Sequence, residues 1–266
     1  MTHASAAPSV GTFMLNKVPE VTLLFWVVKI FSTTIGETGA DFLNGDLGLG
    51  LTGTTLVAAV LLAIALFFQM RARRYVPALY WLVVVLISVT GTLITDNLTD
   101  ALGVSLWTST IVFSVILAAV FIAWFLREKT LSVHTITTRS REAFYWLAIL
   151  FTFALGTAAG DLFGDELGLG FALSGLIFAA AIAVVTGAHF FFKLNAVFAF
   201  WAAYILTRPL GASFADWLSQ SHKNGGLGLG TQMTSLIFLI GIVAIVIYFT
   251  ISENRKNAVA KGSDLA

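Results

Sequence analysis

Cysteine is absent from the 266 residues, which excludes disulfides, thiolate metal ligands and cysteine nucleophiles. Charge is scarce too: Asp, Glu, Lys and Arg make up 11% of the chain, against roughly 25% in soluble globular domains. What charge there is nearly cancels, to a formal net +1, which says little about partners; no nucleic-acid partner is expected. Histidine occurs four times without a metal-binding motif: His3 and His134 lie outside the apolar runs, His222 in a loop, and only His189 near a helix end. Residues 1–18 lack a basic start followed by an apolar core, so no cleavable leader is expected and the first apolar helix serves as the entry signal.

Apolar residues fill the rest, at 58% of the chain. Crossing a bilayer as helix takes about 20 mostly apolar residues. Residues 51–70, 102–125, 167–192 and 227–251 contain no Asp, Glu, Lys or Arg. Four further apolar segments, 21–41, 78–96, 144–161 and 196–216, each carry a Trp and end in an acid. The expected fold is all-α, a polytopic transmembrane bundle of eight helices with the lipid bilayer as its surroundings. Lys17, Arg71, Arg73, Arg74, Arg127, Lys129, Arg139, Arg141, Lys193, Arg255, Lys256 and Lys261 fall at one set of helix ends, and Lys223 alone at the other. Excess positive charge stays on the cytoplasmic side. Both termini are therefore expected in the cytoplasm, and the location expected is the bacterial inner membrane.

The chain also repeats itself. Trp26, Trp81, Trp146 and Trp201 are each followed ten residues later by Gly36, Gly91, Gly156 and Gly211, and five residues after that by Asp41, Asp96, Asp161 and Asp216. A glycine-bearing turn follows: LGLG at 47–50, LGVS at 102–105, and LGLG at 167–170 and 227–230, the last after five extra residues. The second half echoes the first at one fixed offset, as two rounds of duplication would leave it. Each copy is a helix, an outward turn and a helix back, so all four copies point the same way through the membrane, unlike inverted repeats. The divisions expected are a cytoplasmic segment at 1–18, repeats at 19–74, 75–141 (with a cytoplasmic loop), 142–193 and 194–251, and a cytoplasmic tail at 252–266.

The FW, YW, YW and FW pairs ending at the four tryptophans, the GETGAD stretch at 36–41 and the LGLG turns carry a resemblance. Over about residues 19–249 the chain resembles a bacterial membrane-protein family of four tandem two-helix repeats, each with a characteristic tryptophan and of uncharacterised function. The resemblance implies the eight-helix fold and no mechanism.

Function must come from the acids. A charge near the bilayer centre costs about 2.5–3.5 kcal/mol on the insertion scale, so such acids face a bundle interior or a wet cavity. The four Asp either cap the following turns or gather on a central path, as a ring or as two pairs. Glu37 precedes Asp41 by four, so the two carboxylates share a helix face, with Thr33 and Thr34 continuing it inward. Such oxygens suit Mg²⁺, Mn²⁺ or Ca²⁺, and also a proton relay. Glu37 and Asp41 are accordingly the candidate metal ligands. The positions matching Glu37 are Thr92, Thr157 and Ala212, so Glu37 breaks the symmetry. Lys29 and Arg208, the two basic residues within spans, are the candidate charge partners, either structural ties or switching pairs. The four Trp read as packing or interfacial residues rather than a cation cage. The stretch from Gly48 to Gly53 spells G-x-G-x-x-G, but it follows a membrane helix rather than a strand, so no dinucleotide site is expected.

The function expected is a cation transporter or channel for divalent metal ions, protons or both, with Asp41, Asp96, Asp161 and Asp216 at its outward side and Glu37 deeper. A divalent cation enters as substrate, not as a resident cofactor. The rival is a membrane-embedded aspartyl hydrolase, although the G-x-G-D pattern fails at Ala158-Ala159-Gly160-Asp161. A noncatalytic sensor or scaffold fits the short loops poorly. The oligomeric state is not written in the sequence.

Overall fold

The computed structural model describes residues 16–263, with side chains through Arg255. His3, most of the predicted N-terminal segment, the last three tail residues and the side chains of Lys256 and Lys261 lie outside the described residues. The rest forms eight long helices and no strand: α1 Leu23–Asp41, α2 Gly50–Arg71, α3 Pro77–Asp96, α4 Leu106–Glu128, α5 Arg139–Asp161, α6 Gly170–Phe192, α7 Ala196–Ser219 and α8 Thr231–Ser263. All but α1 are long and apolar enough to cross a membrane. α1 carries Lys29, Glu37 and Asp41, and α3, α7 and α8 pack around it.

Local chemistry sets the helix starts. The Thr22 side chain accepts the Phe25 N–H, Thr138 that of Arg141, and Asn195 those of Val197 and Phe198, while Pro77 opens α3. The cap at Thr138 starts α5 five residues before the predicted Phe144. α8 runs beyond the predicted end at Ile251, because residues 252–261 contain neither Gly nor Pro and include helix-favouring Glu, Arg, Lys and Ala.

At the acid-rich end α1, α3 and α5 widen into five-residue π-helical turns, Phe42–Asp46, Asn97–Ala101 and Leu162–Glu166. The glycines then turn the chain. Gly48 and Gly50 have φ of 67° and 66°, a region closed to most side chains. In the second repeat Gly103 keeps this conformation, but Ser105 stands where Gly50 does and instead caps α4 through the Thr108 N–H. The extra residues of the fourth repeat form a 3-10 turn, His222–Asn224.

The odd-numbered helices form the inner ring and the even-numbered ones the outer. At least 56% of the spanning window is buried in α3, α5 and α7, against at most 28% in α2, α4, α6 and α8. Each inner helix packs on the next, α1 on α3, α3 on α5, α5 on α7, and α7 back on α1. Each outer helix packs on the inner helix of the following repeat: α2 on α3, α4 on α5, α6 on α7 and α8 on α1. No repeat folds against itself alone, so the four copies close into a ring.

Glycine allows the close approach. A Cβ on Gly36 would overlap Ser88, one on Gly91 would lie 2.8 Å from the Phe153 Cβ, and those on Gly156 and Gly211 would overlap Arg208 and Thr33. Thr33, Ser88, Phe153 and Arg208 occupy one register position in the four repeats, so every junction uses the same small-residue contact. The tryptophans obey the same rotation. The aromatic before each Trp meets the Trp of the next repeat: Phe25 with Trp81 at 5.6 Å, Tyr80 with Trp146 at 5.4 Å, Tyr145 with Trp201 at 6.1 Å, and Phe200 with Trp26 at 5.6 Å between ring centroids. Trp81, Trp146 and Trp201 are buried and Trp26 half-buried, so the four are packing residues of the core.

Candidate functional site

Inner-helix residues spaced by four share a face, and that face stacks five layers along the ring. At the basic end lie Phe25, Tyr80, Tyr145 and Phe200, all buried, with the Tyr80 and Tyr145 hydroxyls 2.5 Å apart. Next come Lys29, Val84, Ile149 and Tyr204, then Thr33, Ser88, Phe153 and Arg208, then Glu37, Thr92, Thr157 and Ala212. Asp41, Asp96, Asp161 and Asp216 form the last layer, at the acid-rich end.

The fourth layer converges on one atom. Arg208 Nη2 donates to Glu37 Oε2 at 2.7 Å and to Thr157 Oγ1 at 2.7 Å, and it also meets Thr92 Oγ1. The Thr92 hydroxyl in turn has two acceptors within reach of its one proton, Glu37 Oε2 at 3.4 Å and the Ser88 carbonyl at 3.2 Å. One guanidinium from the fourth repeat thus gathers the matching side chains of the other three. Arg208 is fully buried, and Pro209 follows it inside α7. Proline lacks the N–H that would bind the Ile205 carbonyl, which weakens the helix at this point. The positions matching Pro209 are Thr34, Val89 and Ala154, so the break is peculiar to the fourth repeat.

Of the two candidate charge partners, Arg208 pairs with Glu37 and Lys29 pairs with no carboxylate. The Lys29 ammonium, fully buried, donates to Thr207 Oγ1 at 3.1 Å and lies 4.2 Å from the ring centroids of both Phe153 and Tyr204. Aromatic faces hold a cation where no anion reaches it. Phe153 and Tyr204 stand at the positions matching Arg208 and Lys29, so the repeat register was the signal that could have found this contact.

The four Asp are half-buried and their carboxylates follow one another around the ring. Asp41 is within electrostatic reach of Asp96, Asp96 of Asp161, Asp161 of Asp216, and Asp216 of Asp41, and each also feels Glu37. The arrangement is therefore a ring in chain order rather than two isolated pairs. None of Asp41, Asp96 and Asp161 caps the turn that follows it. Among the described residues no hydrogen bond joins two of these carboxylates, and no group of three or more acids and histidines is close enough to hold a metal ion. Glu37 is committed to Arg208, so Glu37 and Asp41 do not form the free ligand pair expected from their spacing. Thr33 and Thr34 do not extend that pair either: their hydroxyls donate to the Ile30 carbonyl and reach the Thr207 and Gly211 carbonyls of α7.

A second buried ion pair escaped the sequence reading. Lys17 and Glu142 meet at 2.5 Å, each 1% exposed, and Lys17 also donates to the Gln69 and Met70 carbonyls while Gln69 donates to Glu142. The pair ties the segment before α1 to the end of α2 and the start of α5. Neither residue belongs to the repeat pattern, which is why the register did not reveal it.

Eight helices in four tandem pairs, seven of them long and apolar enough to cross a membrane, define a multi-pass membrane protein built by internal repetition. Residues 24–75, 79–130, 144–195 and 199–255 each match the family model described as Repeat of Unknown Function (DUF347), and the chain belongs to that family. No curated protein and no solved structure matches it.

Proposed function

We propose that the protein is a cation transporter of the bacterial inner membrane, with both termini in the cytoplasm and the aspartate ring facing outward. The observation that supports this reading most is the register-matched ring of Asp41, Asp96, Asp161 and Asp216 directly above the Arg208–Glu37 pair. Small inorganic cations, with divalent metal ions and protons foremost, are the substrates proposed. The ring carboxylates replace part of the ion's hydration shell and draw it to the mouth of the bundle. Beneath them the axis is filled by Arg208 and a floor of aromatic side chains, which favours alternating access over an open channel. An arriving cation competes with Arg208 for Glu37, and the weakened turn at Pro209 lets the guanidinium move when it loses that partner.

Aspartyl hydrolysis needs two carboxyl groups acting directly on one substrate bond. The geometry favours that less, since the four acids are spaced around a ring without hydrogen bonding to one another. The test is cation flux in proteoliposomes, comparing wild type with Glu37→Gln, Asp41→Asn, Asp96→Asn, Asp161→Asn and Asp216→Asn. Transport reduced in the ring variants and abolished in Glu37→Gln is the expected result. Unchanged flux of every tested cation in all five variants overturns the proposal.

A further inference from the structure

One register position of the outer helices serves the inner tryptophans. Counted from the glycine turns, Gln69, Trp124, His189 and Phe249 are equivalent. Phe249 of α8 stacks on Trp81 at 6.4 Å between ring centroids, and Trp124 of α4 meets Trp201 at 5.7 Å, in each case the tryptophan two repeats on. Gln69 of α2 is fully buried and donates to Glu142, one turn before Trp146. His189 of α6 breaks the pattern. Its Nδ1 lies 2.8 Å from the Leu194 carbonyl, and Trp26, the tryptophan two repeats on, stays half-buried.

A cavity of 730 Å³ fills this junction of α1, α6 and α7, with Trp26 and His189 on its wall. The volume lies within the range of about 300–1,000 Å³ usual for ligand pockets. Leu23 and Phe190 line it while 80% and 73% exposed, so it opens sideways, toward the hydrocarbon that surrounds a membrane bundle. From Ala196 to Leu210 its α7 wall rises about 21 Å, at about 1.5 Å per residue. That length spans one leaflet, half of a hydrocarbon core about 30 Å thick, and reaches into the interface. Most polar groups of the lining gather at the basic end: Thr22 before α1, Ser132 and His134 in the loop after α4, and His189. Among the described residues no acid lines it. Left empty, its apolar walls forfeit dispersion contacts, and water has too few partners there to replace them.

We infer that one phospholipid of the leaflet at the basic end seats an acyl chain in this cavity, with its phosphate at the mouth beside Thr22, Ser132 and His134. The chain takes the place on Trp26 that an aromatic side chain of the outer helix takes on Trp81 and Trp201. Hydroxyls and imidazoles without a neighbouring carboxylate suit a phosphate. The inference rests on the cavity and on the membrane setting of the helices, not on the transport reading.

The experiment is native mass spectrometry of the purified full chain in detergent, titrated with phosphatidylglycerol carrying palmitoyl and oleoyl chains. Retention of about one lipid per chain at saturation is the expected result. Ala203→Phe fills the cavity from α7, and His189→Trp restores the aromatic that α4 carries at this register. Each weakens retention by about tenfold or more. Ala183→Phe, on the exposed side of α6 outside the lining, leaves it unchanged. No lipid retained by the wild-type protein overturns the inference. Retention unchanged in both filling variants, or lowered equally in Ala183→Phe, places the lipid on the outer surface and overturns it too. Equal retention of a diacylglycerol with the same chains overturns the role given to the phosphate. Because no flux is measured, failure of the transport proposal leaves this result standing, and the reverse holds as well.

Discussion

The two buried ion pairs, Lys17–Glu142 and Arg208–Glu37, differ in how completely they are satisfied. Lys17 spends its three donors on one carboxylate and two backbone carbonyls, and Glu142 takes a further bond from Gln69. Arg208 puts one nitrogen to use and leaves two without a partner. The first pair joins the segment before α1 to the end of α2 and the start of α5. The second sits where all four repeats meet, beside a proline that loosens its helix. A fully bonded pair has little to gain from moving, whereas an incompletely bonded one gains partners when an ion enters. On the proposed reading, the contrast separates a structural tie from a switch.

Breaking each pair tests that contrast most strongly. Removing one partner of a buried pair costs about 3–5 kcal/mol, so Lys17→Met and Glu37→Leu both lower stability in denaturant titrations. Flux per folded molecule survives in Lys17→Met and disappears in Glu37→Leu. Replacing both partners sharpens the difference. Lys17→Met with Glu142→Leu regains most of the lost stability, because an apolar pair of similar volume carries no desolvation cost, and it transports. Glu37→Leu with Arg208→Met also regains stability yet transports nothing.

Smaller effects test the ring itself. Gly211→Ala places a methyl group onto Thr33 at the junction that joins the fourth repeat to the first, and costs about 1–3 kcal/mol. Gly45→Ala, with open space around it, stays within about 0.5 kcal/mol in the same measurement. The aspartates give the mildest changes. Single Asp→Asn variants each raise the half-saturating cation concentration modestly, because the remaining ring carboxylates still attract the ion.

Much of this architecture was legible because a repeat writes the same constraint four times. The spacing from Trp to Gly to Asp fixed the inner faces, and the glycines at Trp plus ten proved to be the junction contacts. The sequence also named Arg208 as a candidate charge partner, and it pairs with Glu37 of another repeat. It could not reveal that each outer helix packs on the next repeat's inner helix, since apolar runs such as residues 51–70 carry no directional signal. The π-helical turns escaped for a related reason: FLNGD, NLTDA and LFGDE share no composition that distinguishes a widened turn from an ordinary one. Lys29 was misread as an ion-pair partner because its true neighbours, two aromatic faces and a hydroxyl, come from α5 and α7.

The absence of cysteine makes the most direct test clean. Single cysteines placed at Asp41, Asp96, Asp161 and Asp216, and in the layer beneath at Thr92 and Thr157, are exposed in intact cells to a membrane-impermeant cationic thiol reagent. Labelling from outside at all four aspartate positions, with none at the two threonine positions, is the predicted result. Labelling from the cytoplasmic side alone, or at only one or two of the four, contradicts a shared outward vestibule sealed at Arg208.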